Sequence, residues 1–281
     1  MEQLVQTLRL LSGQNIPVLG LGTWQMGENP QQRQSEVAAL RHGLNLGMTL
    51  IDTAEMYGEG GAEEVVAEAI SGCRSEVFLV SKVYPHNASR HGAIASCERS
   101  LRRLNTDYLD LYLLHWRGSI PLAQTLEAFE ALRLAGKIRS YGVSNFDIKD
   151  MTETCQLACG EAIVTNQVLY NLMRRGIEWD LLPWCQKKGI PIMAYSPVEQ
   201  GRLLQKMALQ ALAQERGVSA AQLAIAWLLH QQNVIVIPKS SRIEHVEQNR
   251  AALQLQLSVE ELARIDEVFP PPTKPVRLEM L

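Results

Sequence analysis

The chain has 281 residues, of which 46% are hydrophobic and 20% are charged. This balance excludes an intrinsically disordered chain, because the apolar side chains suffice for a sizeable core. A net charge of −3 without a long basic run excludes nucleic acid as an expected partner. No apolar stretch approaches the roughly 20 residues that span a bilayer, no signal-peptide pattern opens the sequence, and the five cysteines form no CxxC pair. We therefore expect a cytoplasmic protein without a membrane partner, and a monomer.

Eight short β-rich runs recur at intervals of about thirty residues along the chain. Segments with helical periodicity, such as 36–46, separate these runs. Crossovers of this length join parallel strands, and eight right-handed β–α units close most economically into a barrel. The pattern predicts an α/β fold, a (β/α)₈ TIM barrel that takes up 1–281 as a single domain. The predicted strands are 18–21, 49–51, 77–80, 108–114, 138–143, 163–164, 190–194 and 234–237.

Further segments are predicted around the barrel. Residues 4–10 and Ile16 flank Ser12-Gly13-Gln14-Asn15, which predicts an N-terminal β-hairpin that plugs the barrel floor. Helical patterns at 206–216 and 219–231 place an extra helix before the last strand. Two C-terminal helices are predicted at 242–253 and 258–268, and Ser258 with Glu261 forms a capping box at the start of the second.

A doubly wound dinucleotide-binding fold is the rival interpretation. It requires a G-x-G-x-x-G pattern after the first strand. Here Gly20 and Gly22 are followed by Gly27, which is two residues too late, and Trp24 would crowd a pyrophosphate. The sequence therefore favours the barrel.

Polar residues stand at the carboxyl ends of all eight predicted strands. In a barrel these ends converge on one mouth, where active sites are built. Each residue alone has a simpler explanation, since Asp52 and Ser144 could cap helices, Lys82 could reach solvent and His115 could be a satisfied core histidine. Helix caps do not explain why all of them line one mouth. The residues are Thr23-Trp24, Asp52, Lys82, His115, Ser144-Asn145, Asn166-Gln167, Tyr195-Ser196 and Lys239-Ser240-Ser241.

Asp52, Lys82 and His115 lie at the ends of adjacent strands. Tyr57 follows Asp52 on a loop that can fold over the mouth. We expect the Lys82 cation to lower the pKa of the Tyr57 phenol, and Asp52 to keep the lysine charged. Tyr57 would then act as the general acid that protonates a developing alkoxide, while His115 hydrogen-bonds the same oxygen. None of these groups supplies a hydride, so the set requires a nicotinamide cofactor.

Two other functions remain open at this point. A barrel with one lysine at a strand end could be a Schiff-base aldolase that uses Lys82, which requires an uncharged lysine in an apolar pocket. A nicotinamide-binding sensor subunit with little turnover is the second alternative. The sequence contains neither HExxH nor G-x-S-x-G, so we expect no metal site and no serine nucleophile.

Five segments of the chain together resemble the signature segments of the aldo-keto reductase family, in the family's order and over nearly the whole chain. The resemblance implies a catalytic tetrad of Asp52, Tyr57, Lys82 and His115, with Tyr57 as the acid. The segments are Asp52-Thr53-Ala54-Glu55-Met56-Tyr57-Gly58, Val80-Ser81-Lys82, Leu114-His115-Trp116, Gly142-Val143-Ser144-Asn145-Phe146 and Ile237-Pro238-Lys239-Ser240.

The same resemblance implies a binding site for NADPH. It assigns the nicotinamide carboxamide to Ser144, Asn145 and Gln167, stacking on the nicotinamide ring to Tyr195, the 2′-phosphate to Lys239, Ser240 and Arg242, and the adenine to Asn249. Trp24 and Trp116 would form walls of the substrate pocket beside Tyr57 and His115. Further cofactor contacts are expected from Gly22, Thr23, Trp24, Ser196, Pro197, Val198, Ser241 and His245.

Two departures from the family pattern and one further resemblance sharpen these expectations. His245 stands where the family commonly has a second arginine for the phosphate, which weakens the preference for NADPH, but Lys239 and Arg242 remain, so NADPH is still expected over NADH as the weaker cofactor. The short tail after Asn249 suggests an open mouth and small carbonyl substrates. The run Val168-Leu169-Tyr170-Asn171 resembles bacterial reductases of methylglyoxal and other 2-oxoaldehydes. We therefore expect an NADPH-dependent reductase of small aldehydes and ketones.

Overall fold

The computed structural model describes residues 5–281. The strands in this part are β1 (Thr7–Arg9), β2 (Asn15–Pro17), β3 (Gly20–Gly22), β4 (Leu50–Asp52), β5 (Phe78–Val83), β6 (Leu109–Leu114), β7 (Ile138–Ser144), β8 (Ile163–Leu169), β9 (Ile192–Tyr195) and β10 (Val234–Val236). The α-helices are α1 (Arg33–Asn45), α2 (Gly61–Ala69), α3 (Arg90–Leu104), α4 (Leu122–Leu134), α5 (Ile148–Gln156), α6 (Leu181–Lys188), α7 (Met207–Glu215), α8 (Ala220–His230), α9 (Ile243–Ala251) and α10 (Val259–Val268).

Strands β3 to β10 pair in parallel with their sequence neighbours in one eight-stranded sheet. The sheet closes on itself, because parallel bridges join Leu19 to Val236 and Gly22 to Lys239. At this seam the backbone N–H of Gly22 donates to Pro238 O at 2.9 Å. A side chain at Gly22 would bring its Cβ within 2.9 Å of Ile237 O, so glycine permits the close approach. The predicted (β/α)₈ barrel is confirmed.

The barrel interior follows from the alternation of side chains along each strand. Leu50, Val80 and Leu113 belong to one apolar cluster inside the barrel. Asp52, Lys82 and His115 each stand two residues further along the chain, so they continue the same inward-facing rows. Since the strands are parallel, all three polar residues reach the same end of the barrel.

The N-terminal hairpin closes the opposite end. β1 pairs with β2 in antiparallel register, with Leu8 opposite Ile16. Leu10 and Ile16 are buried in the interior cluster together with Leu50 and Phe78, which begin their strands. The predicted plug is confirmed for the described residues, while Leu4, the first residue of the predicted hairpin, lies outside them.

The helices additional to the one-strand, one-helix pattern of the barrel lie where the sequence predicts them. α7 and α8 both precede β10, and α9 and α10 follow it. The capping box of α10 is present, with Glu261 N donating to Ser258 Oγ at 3.2 Å and Ser258 N to Glu261 Oε2 at 2.8 Å. None of the helices within residues 5–281 is long and apolar enough to cross a membrane.

Two strands extend at least three residues beyond the ends that the hydrophobic pattern predicts. β5 continues to Val83 instead of ending at residue 80, and β8 continues to Leu169 instead of ending at residue 164. The added residues include Lys82 and Gln167, which are buried despite being polar because Asp52 on β4 supplies a hydrogen-bond partner to each of them. A polar residue interrupts the hydrophobic run, so in the sequence it resembles the end of a strand. Only the structure shows the hydrogen-bond partners that allow the strand to continue past it.

Candidate active site

Lys82 is the centre of a hydrogen-bonded group at the mouth of the barrel. Its side chain is 0% exposed. The ammonium donates to Asp52 Oδ2 at 2.7 Å, to the Thr53 carbonyl oxygen at 2.9 Å and to the Tyr57 hydroxyl at 3.1 Å. All three protons of the ammonium are therefore used within this group.

Tyr57 enters the site from a tight turn after β4. It begins a 3₁₀ turn, Tyr57–Gly60, in which Gly58 and Glu59 have left-handed backbone angles, with φ of 56° and 54°. The turn directs the phenol back over the strand ends. The Tyr57 ring packs edge-on against Trp24, with ring centroids 5.1 Å apart, and against His115, at 5.7 Å.

The protonation of Tyr57 differs from the expectation. Burial raises the pKa of the phenol well above its ordinary value, and the Asp52 carboxylate raises this pKa further. The pKa is therefore raised instead of lowered as expected, because burial and the Asp52 charge outweigh the effect of the adjacent Lys82 cation. Burial lowers the pKa of Lys82, and Asp52 opposes that change. The group thus holds a proton on Tyr57.

His115 follows β6 and is neutral. Burial, and then the Lys82 charge, lower the pKa of its imidazole to about 2. Its Nδ1 atom is buried and has no hydrogen-bond partner among residues 5–281, so the ring is not a satisfied core histidine. The helix-cap explanations also fail, since Gly60 caps α2 and Asp147 caps α5. Neither Asp52 nor Ser144 occupies such a position.

The expected carboxamide site lies beside this group. Gln167 Nε2 donates to Asp52 Oδ1 at 2.7 Å and approaches Met193 Sδ at 2.9 Å. Asn145 Nδ2 donates to His115 O at 3.1 Å and to Ser144 Oγ at 3.2 Å. The Tyr195 hydroxyl donates to Asn145 Oδ1 at 3.0 Å. The structure therefore places these four expected cofactor residues beside Asp52 and His115, Gln167 bonded to Asp52 and the other three in a set that reaches His115 O.

The groups left unused in this network fit a primary carboxamide. Ser144 and Gln167 are directly paired across β7 and β8. The Ser144 hydroxyl proton and Gln167 Oε1 make no hydrogen bond to another residue of the described chain. A donor beside an acceptor complements the carbonyl and amino groups of a carboxamide. Asn145, by contrast, already uses its amino group and its oxygen within the protein.

Two of the other expected contacts have structural partners at the barrel mouth. The Thr23 hydroxyl donates to the Asp52 carbonyl oxygen at 3.0 Å, which ties the end of β3 to that of β4. Ser196 has a left-handed φ of 49°, and its carbonyl oxygen accepts from Asn171 Nδ2 at 2.9 Å. Pro197 and Val198 continue this loop after β9. A strained loop beside a site is a common feature of binding segments.

The residues expected to contact the 2′-phosphate lie apart from the tetrad, at the start of α9. Arg242 is the N-cap residue, and its side chain is 67% exposed with Glu244 at 3.7 Å. Ser240 Oγ accepts from Arg242 N at 3.1 Å, which shapes the loop before the helix. Lys239 and His245 are exposed. A helix N-terminus with two cations and a hydroxyl suits a phosphate. Asn249, the expected adenine contact, is largely buried on the same helix.

Tyr84 is a site residue that the sequence reasoning missed. Its ring lies 5.7 Å from Trp116 and 6.4 Å from His115, so it extends the aromatic wall of the pocket. The signal was the alternation along β5, since Tyr84 follows Lys82 by two residues. Glu55 was also missed, and this buried carboxylate accepts from Tyr84 N at 2.8 Å and from Asn87 Nδ2 at 3.0 Å. It ties the Tyr57 loop to the Tyr84 loop.

The C-terminal tail reaches Tyr195 at the barrel mouth. The backbone of Leu281 hydrogen-bonds the Tyr195 hydroxyl. Glu279 pairs with Arg174, whose Nε lies 3.0 Å from Glu199 Oε1. Glu199 is completely buried in the loop after β9. An ion pair with Arg174, which itself pairs with Glu199 in the loop after β9, thus anchors the short tail beside Tyr195.

Comparisons with known proteins agree with this geometry. The model of the aldo/keto reductase family matches residues 18–269. The chain is 55% identical over 272 residues to methylglyoxal reductase YeaE of Escherichia coli (strain K12), covering 95% of this chain and 96% of that protein. It is 34% identical over 263 residues to glyoxal reductase of Bacillus subtilis (strain 168), covering 94% and 92%. An aldo-keto reductase of Klebsiella pneumoniae, solved in complex with NADPH, superposes with a TM-score of 0.96 at 54% identity, covering 99% and 100%.

Proposed function

This chain belongs to the aldo/keto reductase family, and we propose that it reduces small aldehydes and ketones with NADPH, 2-oxoaldehydes such as methylglyoxal among them. The observation that carries the proposal is the Lys82 ammonium, which bonds both Asp52 and Tyr57 beside a neutral His115. This arrangement provides one proton donor and one neutral hydrogen-bonding group at the same place. Reduction of a carbonyl requires both at the developing alkoxide.

Each member of the tetrad has a separate part in the proposed reaction. Tyr57 donates its proton to the carbonyl oxygen, and the raised pKa keeps that proton in place until the oxygen becomes basic. Lys82 then stabilises the phenolate, and Asp52 keeps the lysine charged and aimed at Tyr57. His115 hydrogen-bonds and orients the carbonyl oxygen as a neutral ring. When NADPH is bound, its nicotinamide supplies the hydride, which no side chain of the tetrad can provide.

The residues around the tetrad support NADPH as the cofactor. Ser144 and Gln167 offer the donor and the acceptor that a carboxamide requires. Lys239 and Arg242 are exposed near the start of α9, where a 2′-phosphate would meet charge and backbone N–H groups. This site distinguishes NADPH from NADH, so NADH is proposed as a weaker cofactor. His245 supplies less to a phosphate than an arginine would.

The pocket walls support small substrates. Trp24, Tyr84 and Trp116 surround the Tyr57 hydroxyl and His115 with aromatic rings. The C-terminal tail lies beside this pocket at Tyr195. Two relatives are named for small dicarbonyl substrates, methylglyoxal with three carbons and glyoxal with two. We propose the same substrate class for this chain, acting as a monomeric, single-domain cytoplasmic enzyme.

The aldolase alternative loses its support. Schiff-base formation needs a lysine nitrogen with a free lone pair facing the substrate. Lys82 is completely buried, and its three protons are donated to Asp52, Thr53 and Tyr57. An unreactive sensor subunit is also disfavoured, because the complete tetrad is assembled at the mouth.

The test is the oxidation of NADPH by the purified protein with a panel of aldehydes, ketones and 2-oxoaldehydes. We expect turnover with small 2-oxoaldehydes, a lower rate with NADH, and no trapped adduct at Lys82 after borohydride treatment. Tyr57→Phe serves as the matched control that removes one hydroxyl. Binding of NADPH without turnover of any carbonyl in the panel would favour the sensor function instead.

A further inference from the structure

A second hydrogen-bond route leads into the Asp52–Lys82–Tyr57 group from β8. Gln167 lies 115 positions from Asp52 in the chain, and its Nε2 donates to Asp52 Oδ1 at 2.7 Å. Lys82 donates to the other oxygen, Oδ2, also at 2.7 Å. Gln167 and Asp52 are each only 2% exposed. The carboxylate is therefore shared between two donors, one on each oxygen.

The orientation of the Gln167 amide follows from its neighbours. Nε2 also lies 2.9 Å from Met193 Sδ, so both amide protons have acceptors inside the barrel. The hydrogen-bonding capacity that remains on this side chain is Oε1, which is an acceptor. Oε1 can therefore accept an N–H from a ligand, while the amide protons stay on Asp52 and Met193.

We infer that Gln167 is a positioning residue that links the carboxamide of the bound cofactor to the proton donor. This inference rests on the proposed function. A hydrogen bond accepted at Oε1 polarises the amide and strengthens the bond that it donates to Asp52. The Asp52 carboxylate is then stabilised in its charged form, which keeps Lys82 protonated and directed at the Tyr57 hydroxyl. Occupation of the carboxamide position thereby prepares the acid for catalysis.

A purely packing role for Gln167 makes a different prediction. A buried glutamine that only fills the interior would affect stability, and its loss would change turnover equally whatever stands at position 52. A linking role makes the effect of Gln167 on turnover depend on the Asp52 charge, since the charge is what Gln167 acts upon. A double-mutant cycle separates the two roles.

The first experiment combines Gln167→Met with Asp52→Asn. Methionine keeps the length of the side chain and removes the amide. We expect Gln167→Met to raise the Kd for NADPH about two- to tenfold with Asp52 present, the loss of one hydrogen bond, and by a smaller factor in the Asp52→Asn background, because the coupling acts in both directions. We expect the same change to lower kcat about tenfold with Asp52 present but less than about twofold in the Asp52→Asn background, because an uncharged side chain leaves nothing to transmit.

A second variant, Gln167→Glu, tests the link through pH. It keeps an oxygen acceptor but places a second carboxylate beside Asp52 Oδ1, and like charges at this distance force one of the pair to hold a proton. We expect an ionisation in the pH profile of kcat that the wild type lacks. The matched control is Met193→Leu, which removes the other acceptor and keeps the Asp52 bond, and we expect it to leave the profile unchanged. Thermal unfolding of each variant monitors the fold.

The outcomes are distinct. Equal kcat losses from Gln167→Met in both backgrounds, or a Gln167→Glu profile that superposes on the wild type, would overturn the inference while leaving the reductase function intact. An altered profile from Met193→Leu that matches that of Gln167→Glu would also overturn it, since the effect would then be packing. A wild-type protein that fails to bind or oxidise NADPH would overturn the proposed function itself, and the link with it.

Discussion

The interior of the mouth and the start of α9 are built in opposite ways. Asp52 and Lys82 stand on strands, are 2% and 0% exposed, and are bound to each other at 2.7 Å. Arg242 stands at a helix N-terminus, is 67% exposed, and approaches Glu244 no closer than 3.7 Å. The comparison teaches that the groups proposed for proton transfer are arranged in advance, while those proposed for phosphate binding wait in solvent for their ligand. Substitutions in the interior should therefore change turnover and stability, whereas those at α9 should change only affinity.

The largest expected effect is that of Tyr57→Phe. The change removes the proton donor and little binding area, so kcat should fall by ~10²–10⁴ while the affinity for NADPH is kept. The measurement is single-turnover NADPH oxidation together with fluorescence titration of the cofactor. Tyr84→Phe is the control, because it removes a hydroxyl from the neighbouring aromatic wall. A kcat near that of the wild type in Tyr57→Phe would show that another group is the acid.

Substitutions in the Asp52–Lys82 pair should show how much this buried ion pair contributes to the stability of the folded protein. Lys82→Met leaves the buried Asp52 carboxylate without its cation, and breaking a buried pair in this way destabilises a protein by ~3–5 kcal/mol. Adding Asp52→Asn removes the unpaired charge, so the double variant should be more stable than Lys82→Met alone. Chemical denaturation measures the free energy of unfolding of the single and the double variant. Free energies of unfolding that simply add would mean that the two groups do not stabilise each other in the folded protein.

At α9 the expected effect is smaller and confined to one cofactor. Arg242→Ala should raise the Kd for NADPH roughly tenfold to a hundredfold, the range of one charge-assisted contact of about 1.5–3 kcal/mol. The Kd for NADH should hardly change, since NADH lacks the 2′-phosphate. The control is Arg264→Ala, an exposed arginine on α10 that is paired with Glu215. Equal losses for both cofactors would mean that this loop does not distinguish them.

The smallest expected effect is the pH dependence due to His115. Its pKa of about 2 lies far below the ordinary histidine range, so the ring is already neutral at pH 5 and gains no charge until strongly acidic solution. kcat should therefore change less than about twofold between pH 5.5 and 7.5 when proton transfer is rate-limiting. An acid limb near pH 6.5 that disappears in His115→Gln would show that the ring titrates as an ordinary histidine.

Much of the fold and the tetrad was predictable from the chain. The recurrence of strand and helix patterns predicts the barrel, because each β–α unit is encoded by a short stretch of neighbouring residues. Asp52, Lys82 and His115 follow from the polar residue at each strand end, since parallel strands direct those ends to one mouth. The capping box of α10 is likewise a local feature of the sequence. Tyr84 was equally accessible through the alternation along β5.

The tertiary structure alone decided the features that depend on distant segments. The Gln167–Asp52 bond joins positions 115 residues apart, and the tail returns to Tyr195 from the far end of the chain. The pKa of Tyr57 belongs to the same class: a neighbouring lysine suggests a lower value, but burial by several strands and the Asp52 charge raise it. Desolvation is set by everything that surrounds a group, so the residue types in a motif cannot determine its size. The sequence by itself thus determined which groups meet at the mouth, and the folded barrel determined how they hold their protons.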